Sequence, residues 1–336
     1  FVIHYRKLNS NVNATKLPVV IHGVSTVDEV PGIETVLSDI SVRCAPNLAA
    51  LRDTLPGASV LLGWKFDATE LHDAWDCVDQ LRWIQWPGAG VDAVLCPFLV
   101  ESDIALTNMR GVFDRAIAEY VLGLILAFAK DLPETCIAQK EQRWAYRLTE
   151  RIERCQVLVV GVGGIGRAIG QILGAVGCQV HGVGRSARAD DSDFAAIYAS
   201  GDLDQALTNA DYVVVAAPLT DKTRGLFGAK QFAAMKKSAR FVNVGRGALV
   251  NETALVEALQ QQQIAGAALD VFETEPLPPD SPLWDFENVI VSPHMSGDYD
   301  GHHATVVQVF LDNLSRFRRG EPLLNRVDKR LGFVTD

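Results

Sequence analysis

A glycine-rich turn between a predicted strand and a predicted helix constrains this chain more than any other feature. Apolar residues 157–160 precede a GxGxxG sequence at 161–166, and a helical pattern follows over 167–173. In such a turn the first glycine permits a tight bend, the second lets a pyrophosphate approach the backbone, and the third lets the helix pack on the strand. GxGxxG alone would be weak in a chain with 27 glycines, but its flanking elements predict a dinucleotide site at the helix N-terminus. The predicted cofactor-binding residues of this turn are Gly161, Gly163, Gly164, Ile165 and Gly166.

Strand-like apolar segments alternate with helix-like segments along most of the chain. The N-terminal third has such strands at 18–22, 40–44, 59–63 and 81–85, and a second series begins at residue 156. Apolar strands separated by helices are typical of parallel sheets that are covered on both faces. The pattern predicts an α/β chain with two doubly wound parallel sheets, a Rossmann cofactor domain and a flavodoxin-like substrate domain.

Two long helices predict how the chain passes between these domains. An apolar helix at 116–130, with Asp114 as its N-cap, leads from the first domain to the second, and an amphipathic helix at 305–319 leads back. The substrate-binding domain is therefore discontinuous. The predicted domains are residues 1–113 with 300–336 for the substrate and residues 114–299 for the dinucleotide.

Charge, hydropathy and cysteine usage exclude several classes of function. The net charge is −10 at pH 7, and an acidic surface repels nucleic-acid backbones, so an anionic substrate needs positive charge within its own site. The most apolar run, at 121–129, is too short to span a bilayer, which takes about 20 residues. None of the six cysteines forms a CxxC pair, which argues against a disulfide framework or a metal site. We expect a cytoplasmic protein without nucleic-acid, membrane or metal partners.

Three side chains with matched chemistry follow predicted strands of the second series. Arg246, Glu275 and His294 each come at, or just beyond, the carboxyl end of a strand, and these ends share the sheet edge where ligands bind. Carbonyl reduction builds negative charge on oxygen, which a protonated imidazole can neutralise with a proton. A carboxylate orients and stabilises the imidazolium, and a guanidinium holds a substrate carboxylate. Any one of the three alone would more often be structural. Together they predict His294 as acid/base, Glu275 as its partner and Arg246 as the carboxylate clamp.

The end of the second Rossmann strand bears on the choice of nicotinamide cofactor. NAD-specific domains carry an acidic residue there, about 20 residues past the glycine turn. Here no carboxylate ends the strand, and Arg185, Ser186 and Arg188 follow it. Because arginine binds phosphate through paired donors, these residues predict a preference for NADPH, with NADH left open. The alternative is that the arginines are solvated charges paired with the acidic residues that follow.

From about residue 81 to the C-terminus, the chain resembles the D-isomer-specific 2-hydroxyacid dehydrogenase family. The shared motifs lie at 88–92, 107–111, 118–119, 161–166, 217–220, 243–247, 268–276, 292–294 and 325–333. The resemblance implies an NAD(P)-dependent reductase of small 2-keto acids, most similar to glyoxylate and hydroxypyruvate reductases. It also implies a homodimer formed through the cofactor domain, for which residues 133–151, with Trp144, are a candidate arm.

The same resemblance implies further site residues. The family's carboxylate-binding loop corresponds to Ala89 and Gly90, whose backbone amides would face the substrate. Asp270 corresponds to a residue that contacts the nicotinamide carboxamide, with helix or loop capping as its alternative role. Additional cofactor contacts are implied for Pro218, Thr223 and Val244.

Two questions stay open from the sequence alone. A dinucleotide-sensing protein similar to the family's corepressors would carry the same motifs, and oxidation of reduced cofactor by a 2-keto acid would distinguish an enzyme from it. The physiological keto acid is also undetermined. Aromatic residues after strands are more often core, yet four of them are candidates for an aromatic-tolerant pocket: Trp64, Phe66, Trp86 and Trp284.

Overall fold

The computed structural model describes residues 16–335, and its first sheet is parallel throughout. Its strands are β1 (Leu17–His22), β2 (Ile40–Ala45), β3 (Val60–Gly63), β4 (Trp83–Gln85) and β5 (Ala105–Thr107). They lie in the order β2-β1-β3-β4-β5, which is the flavodoxin-like order.

The second sheet is also parallel and has the Rossmann order. Its strands are β6 (Gln156–Val160), β7 (Gln179–Gly184), β8 (Ile197–Ala199), β9 (Tyr212–Val215), β10 (Arg240–Asn243), β11 (Gly266–Leu269) and β12 (Val289–Val291). The order β12-β11-β10-β9-β6-β7-β8 reverses between β6 and β9. Ligands bind at such a switch point, beyond the carboxyl ends of the strands. The predicted fold class is confirmed.

Helices cover the faces of both sheets. The α-helices are α1 (Leu48–Thr54), α2 (Glu70–Asp73), α3 (Pro97–Glu101), α4 (Asp114–Ala129), α5 (Leu132–Lys140), α6 (Gly164–Ala175), α7 (Leu203–Leu207), α8 (Ala229–Ala234), α9 (Glu252–Gln260) and α10 (His302–Arg319). Short 3-10 helices lie at Val27–Glu29, Ile33–Val36, Trp75–Cys77, Ser200–Asp202, Gly247–Leu249 and Pro282–Trp284. Within residues 16–335, no helix combines the length and apolar character needed to cross a bilayer.

The packing of the two long helices, α4 and α10, shows which sheet each of them covers. Helix α4 packs along α6, against the buried apolar strands of the second sheet. Helix α10 returns to the first sheet, where Val307, Phe310 and Leu314 join its core. The buried amide of Asn313 donates to the Gln85 side-chain oxygen at 3.0 Å, which fixes the helix to β4. The domain boundaries at 113/114 and 299/300 stay a prediction.

Three local features differ from the sequence prediction. Helix α4 begins at Asp114 with Phe113 as its N-cap, so the N-cap assigned to Asp114 was wrong. The Asp114 carboxylate instead faces Gly164, where an added Cβ would overlap with it. Helix α10 begins three residues earlier than predicted, at His302. Strands β5 and β8 were not predicted, because three-residue edge strands carry too little apolar periodicity to be recognised.

Candidate active site

A cleft of about 1040 Å³ is lined by residues that follow strands of both sheets. On the side of the second sheet it is lined by the glycine turn after β6 and by the loops after β7, β9 and β10. The opposite wall is formed by the loops after β3 and β4 and by the C-terminal tail at 330–335. The chain that leads from residue 294, after β12, into α10 completes the lining. The cleft thus lies at the carboxyl edges of both sheets, where doubly wound folds bind ligands.

The glycine turn has the geometry that a dinucleotide pyrophosphate requires. Gly161 has a φ of +107°, and an added Cβ would lie 2.7 Å from the Ala216 carbonyl carbon. A Cβ on Gly166 would overlap with the Gly161 carbonyl oxygen, so this glycine is needed for close packing of α6. Gly163 has no atom within 4 Å of its added Cβ and lines the cleft. The N-terminus of α6 is therefore open to an anion.

Arginines lie where the ribose end of a dinucleotide would be placed. Arg185, Ser186 and Arg188 line the same cleft as the glycine turn. The alternative pairing with following acidic residues holds only loosely, since Arg188 Nη1 lies 3.8 Å from Asp191 Oδ2. Asp191 is bound more closely by Arg167, at 2.9 and 3.0 Å, which neutralises that carboxylate. The residues present therefore fit a cofactor with a 2′-phosphate.

The predicted acid/base pair is in contact. His294 Nδ1 lies 2.7 Å from Glu275 Oε2, and the Phe272 N–H donates to Glu275 Oε1 at 2.9 Å. Burial of Glu275 opposes its ionisation, but the hydrogen bond from His294, the bond from Phe272 and the charges of His294 and Arg246 outweigh burial and lower its pKa. An ionised carboxylate only accepts, so Nδ1 carries the hydrogen. Nε2 is then the imidazole nitrogen left for a ligand in the cleft that His294 lines.

The backbone at His294 is held in an unusual conformation by Asp270. His294 has a φ of +51°, in the left-handed region that residues other than glycine seldom adopt. Its N–H donates to the Asp270 carbonyl at 2.8 Å. The buried Asp270 carboxylate accepts from Ser292 Oγ at 2.7 Å and from the N–H groups of Met295 and Ser296 at 3.0 and 2.9 Å. Asp270 thus anchors the loop that presents His294.

Arg246 is positioned by residues from both sheets. Its Nε donates to the Asp92 carboxylate at 3.0 and 3.2 Å, and its Nη1 donates to the Gly245 carbonyl at 2.9 Å. Asn243 shapes the loop beneath, since its amide nitrogen donates to the Arg246 carbonyl at 3.0 Å. An added Cβ at Gly90 would lie 2.8 Å from Arg246 Cζ. The guanidinium therefore lies directly against Gly90, beside the predicted carboxylate-binding amides.

Of the four aromatic residues that were candidates for the pocket wall, two line the cleft and two lie elsewhere. The Phe66 ring centroid lies 4.7 Å from that of His294, and Trp64 stacks on His303 at 5.3 Å. Both aromatic residues line the cleft. Trp86 is only 1% exposed and belongs to the core of the first sheet. Trp284 is 52% exposed and donates to the Pro278 carbonyl, outside the residues that line the cleft. Only two of the four candidates for the pocket wall are therefore present in it.

The structure brings most of the predicted site residues to this cleft. Those that line it are Ala89, Gly90, Gly161, Gly163, Gly164, Ile165, Arg185, Ser186, Arg188, Pro218, Thr223, Val244, Arg246 and His294. Gly166 and Asp270 are buried and Glu275 is exposed, and none of the three is among the residues that line the cleft. The contact of Asp270 with a carboxamide stays a prediction. Sequence reasoning missed Asp92, although it ends the 88–92 motif, and it missed Phe66 as the ring beside His294.

Fold and cleft together define a dinucleotide-binding α/β protein, and comparison with known proteins assigns its family. The model for the D-isomer specific 2-hydroxyacid dehydrogenase NAD binding domain matches residues 122–296. The glyoxylate reductase of Aeropyrum pernix is 34% identical over 281 residues, which are 78% of this chain and 82% of the relative. The chain belongs to the D-isomer specific 2-hydroxyacid dehydrogenase family, and it is an NAD(P)-dependent oxidoreductase.

Two solved structures of similar proteins contain a nicotinamide cofactor. A D-isomer specific 2-hydroxyacid dehydrogenase from Xanthobacter autotrophicus Py2, in complex with NADPH and MES, has a TM-score of 0.81 and 31% identity. An NADPH-dependent glyoxylate/hydroxypyruvate reductase from Sinorhizobium meliloti, in complex with NADP and sulfate, has a TM-score of 0.81 and 30% identity. Each similarity covers 95% of this chain and 100% of the other.

Proposed function

We propose that this protein uses NADPH to reduce small 2-keto acids, such as glyoxylate or hydroxypyruvate, to D-2-hydroxy acids. The observation that carries the proposal is the His294–Glu275 pair at 2.7 Å, in a loop beside the same cleft as Arg246 and the glycine turn. The names of the relatives, which are glyoxylate and hydroxypyruvate reductases, support the same substrate class. They do not favour the dinucleotide-sensing alternative.

In the proposed reaction, the chain's side chains bind the keto acid and move one proton. When bound, NADPH supplies the hydride. Arg246, held by Asp92, binds the substrate carboxylate together with the amides of Ala89 and Gly90. The His294 imidazolium donates its Nε2 proton to the carbonyl oxygen as negative charge develops there. Glu275 stabilises the imidazolium and keeps Nδ1 protonated throughout.

The substrate is tested by following loss of NADPH absorbance with a panel of 2-keto acids. Glyoxylate and hydroxypyruvate are expected to have the highest kcat/KM, with pyruvate and phenylpyruvate as comparisons. The Phe66 ring occupies part of the cleft wall beside His294, which favours a small substituent on the keto carbon. No NADPH oxidation with any member of the panel would support a sensing role instead.

The proposed preference for NADPH predicts a selective effect at Arg185. Arg185→Ala is expected to lower kcat/KM with NADPH about tenfold or more, because a hydrogen bond to a charged group contributes about 1.5–3 kcal/mol. The kcat/KM with NADH should stay nearly unchanged. Arg82→Ala is the matched control, since Arg82 also lies over a phenylalanine ring but outside the cleft. Equal or higher catalytic efficiency of the wild type with NADH would contradict the preference.

We also propose that the segment at 133–151 forms the arm of a homodimer. After α5, the chain at 141–150 has no regular structure and carries three exposed apolar side chains. Trp144 is 98% exposed, Tyr146 84% and Leu148 89%. Exposed apolar groups clustered in this way are typical of a surface that a second protein covers.

Light scattering at micromolar concentration tests this arm. The wild type is expected to have the mass of two chains, and Trp144→Ala to shift the equilibrium toward one chain, because it removes the largest exposed apolar group. Trp284→Ala, which removes another exposed tryptophan outside the arm, should leave the mass unchanged. A wild type with the mass of one chain would reject the dimer.

A further inference from the structure

The C-terminal tail at 325–335 belongs to the first sheet by its contacts, yet it reaches the cofactor side of the cleft. The Val327 N–H donates to the Leu106 carbonyl in β5 at 2.8 Å, and the Val327 side chain is buried in the core of the first sheet. Lys329 Nζ donates to the carbonyls of Leu99 at 2.8 Å, Ser102 at 2.5 Å and Ile104 at 2.9 Å. These bonds fix the tail to the substrate side of the molecule.

Beyond Lys329 the tail forms a closed turn that crosses to the other wall. The Gly332 N–H donates to the Asp328 carbonyl at 2.8 Å, and the Asp328 N–H donates to the Phe333 carbonyl at 3.1 Å. Gly332 has a φ of +79°, which a glycine adopts without strain. An added Cβ there would approach both Leu95, after β4, and Thr220, after β9. The turn therefore bridges the loops of the two sheets.

This turn places the Phe333 ring against Arg185, one of the predicted cofactor-binding residues. The guanidinium carbon of Arg185 lies 5.5 Å from the centroid of the Phe333 ring, within the range of a cation–π contact. Both residues line the cleft. Arg185 is otherwise an exposed side chain on the loop after β7, with many rotamers to lose on binding an anion. A ring held by the anchored turn restricts that freedom.

We propose that Phe333 is a positioning residue for cofactor selection. From the opposite wall of the cleft, its ring keeps the Arg185 guanidinium in the position in which it binds the 2′-phosphate of NADPH. This inference rests on the proposed preference for NADPH. It assigns part of the discrimination between the two nicotinamide cofactors to the C-terminal tail, which is fixed to the first sheet rather than to the Rossmann sheet. Removing the ring should affect the cofactor with the 2′-phosphate more than the cofactor without it.

Calorimetric titration with NADP+ and NAD+ tests the proposal without turnover. In Phe333→Ala, the affinity for NADP+ relative to NAD+ is expected to fall about two- to fivefold, the range of an exposed cation–π contact. Phe333→Tyr keeps the ring and should restore the wild-type ratio, whereas Phe333→Leu keeps apolar volume and should not. Phe98→Ala is the matched control, because Phe98 is an exposed aromatic residue of the first-sheet side that lies outside the cleft lining.

A double-mutant cycle with Arg185→Ala shows whether Phe333 acts through that guanidinium. In the Arg185→Ala background, Phe333→Ala should cause no further change in the NADP+ to NAD+ affinity ratio. A wild type that prefers NADP+, combined with an unchanged ratio in Phe333→Ala or additive effects in the cycle, overturns the role of Phe333 and leaves the cofactor preference intact. A wild type without preference for NADP+ overturns both.

Discussion

Replacing His294 with Asn is expected to lower kcat for keto-acid reduction by at least about 100-fold, the low end for loss of a general acid. The amide of Asn can still donate a hydrogen bond, but it cannot release a proton to the substrate oxygen at neutral pH. Because the substitution leaves the glycine turn and the arginines after β7 in place, the affinity for NADP+ should be retained. Stopped-flow or steady-state NADPH oxidation measures kcat, and calorimetric titration measures the affinity for NADP+.

The control for this substitution is His181→Asn. His181 lies on β7, contacts Tyr198 and is not among the residues that line the cleft, so kcat should stay close to the wild-type value. Melting temperatures of both variants separate a catalytic loss from a folding defect. Near-normal kcat in His294→Asn, with glyoxylate or hydroxypyruvate at saturation, would remove His294 from the role of proton donor.

The features that sequence reasoning placed correctly follow either from a local motif or from the rule that parallel strands end at one edge of a sheet. The GxGxxG turn needs only a strand before it and a helix after it, and β6 and α6 lie there. Arg246 and His294 were brought to one cleft because parallel strands end at the same edge. Glu275 is in contact with His294 although 19 residues separate them in the chain.

The features that sequence reasoning missed depend on contacts between distant parts of the chain. Asp92 and Arg246 are 154 residues apart, and no local periodicity connects them. The approach of Phe333 to Arg185 requires the path of the tail around the first sheet, which only the packed structure defines. For Asp270 the sequence offered loop capping as the alternative role, and its carboxylate does accept from the N–H groups of Met295 and Ser296, but the sequence did not indicate which loop it would hold.

Arg246 is the residue whose conservative replacement should be most costly for substrate binding. Arg246→Lys keeps the positive charge but removes the planar donor set that contacts Asp92 and Gly245 and faces Gly90. The ammonium group cannot both hold Asp92 and present paired donors to a substrate carboxylate. We expect KM for the keto acid to rise about tenfold and kcat to fall about tenfold, since charged hydrogen bonds contribute about 1.5–3 kcal/mol each.

Separate measurement of KM and kcat distinguishes loss of the Arg246 carboxylate clamp from a general loss of folded protein. Misfolding would lower apparent kcat and leave KM unchanged, whereas loss of the carboxylate clamp raises KM. Arg319→Lys is the matched control, because Arg319 forms an ion pair with Glu321 at the exposed end of α10, and both constants should be unaffected there. If KM and kcat of Arg246→Lys both equal those of the wild type, the substrate carboxylate is held by the Ala89 and Gly90 amides or by another cation that lines the cleft.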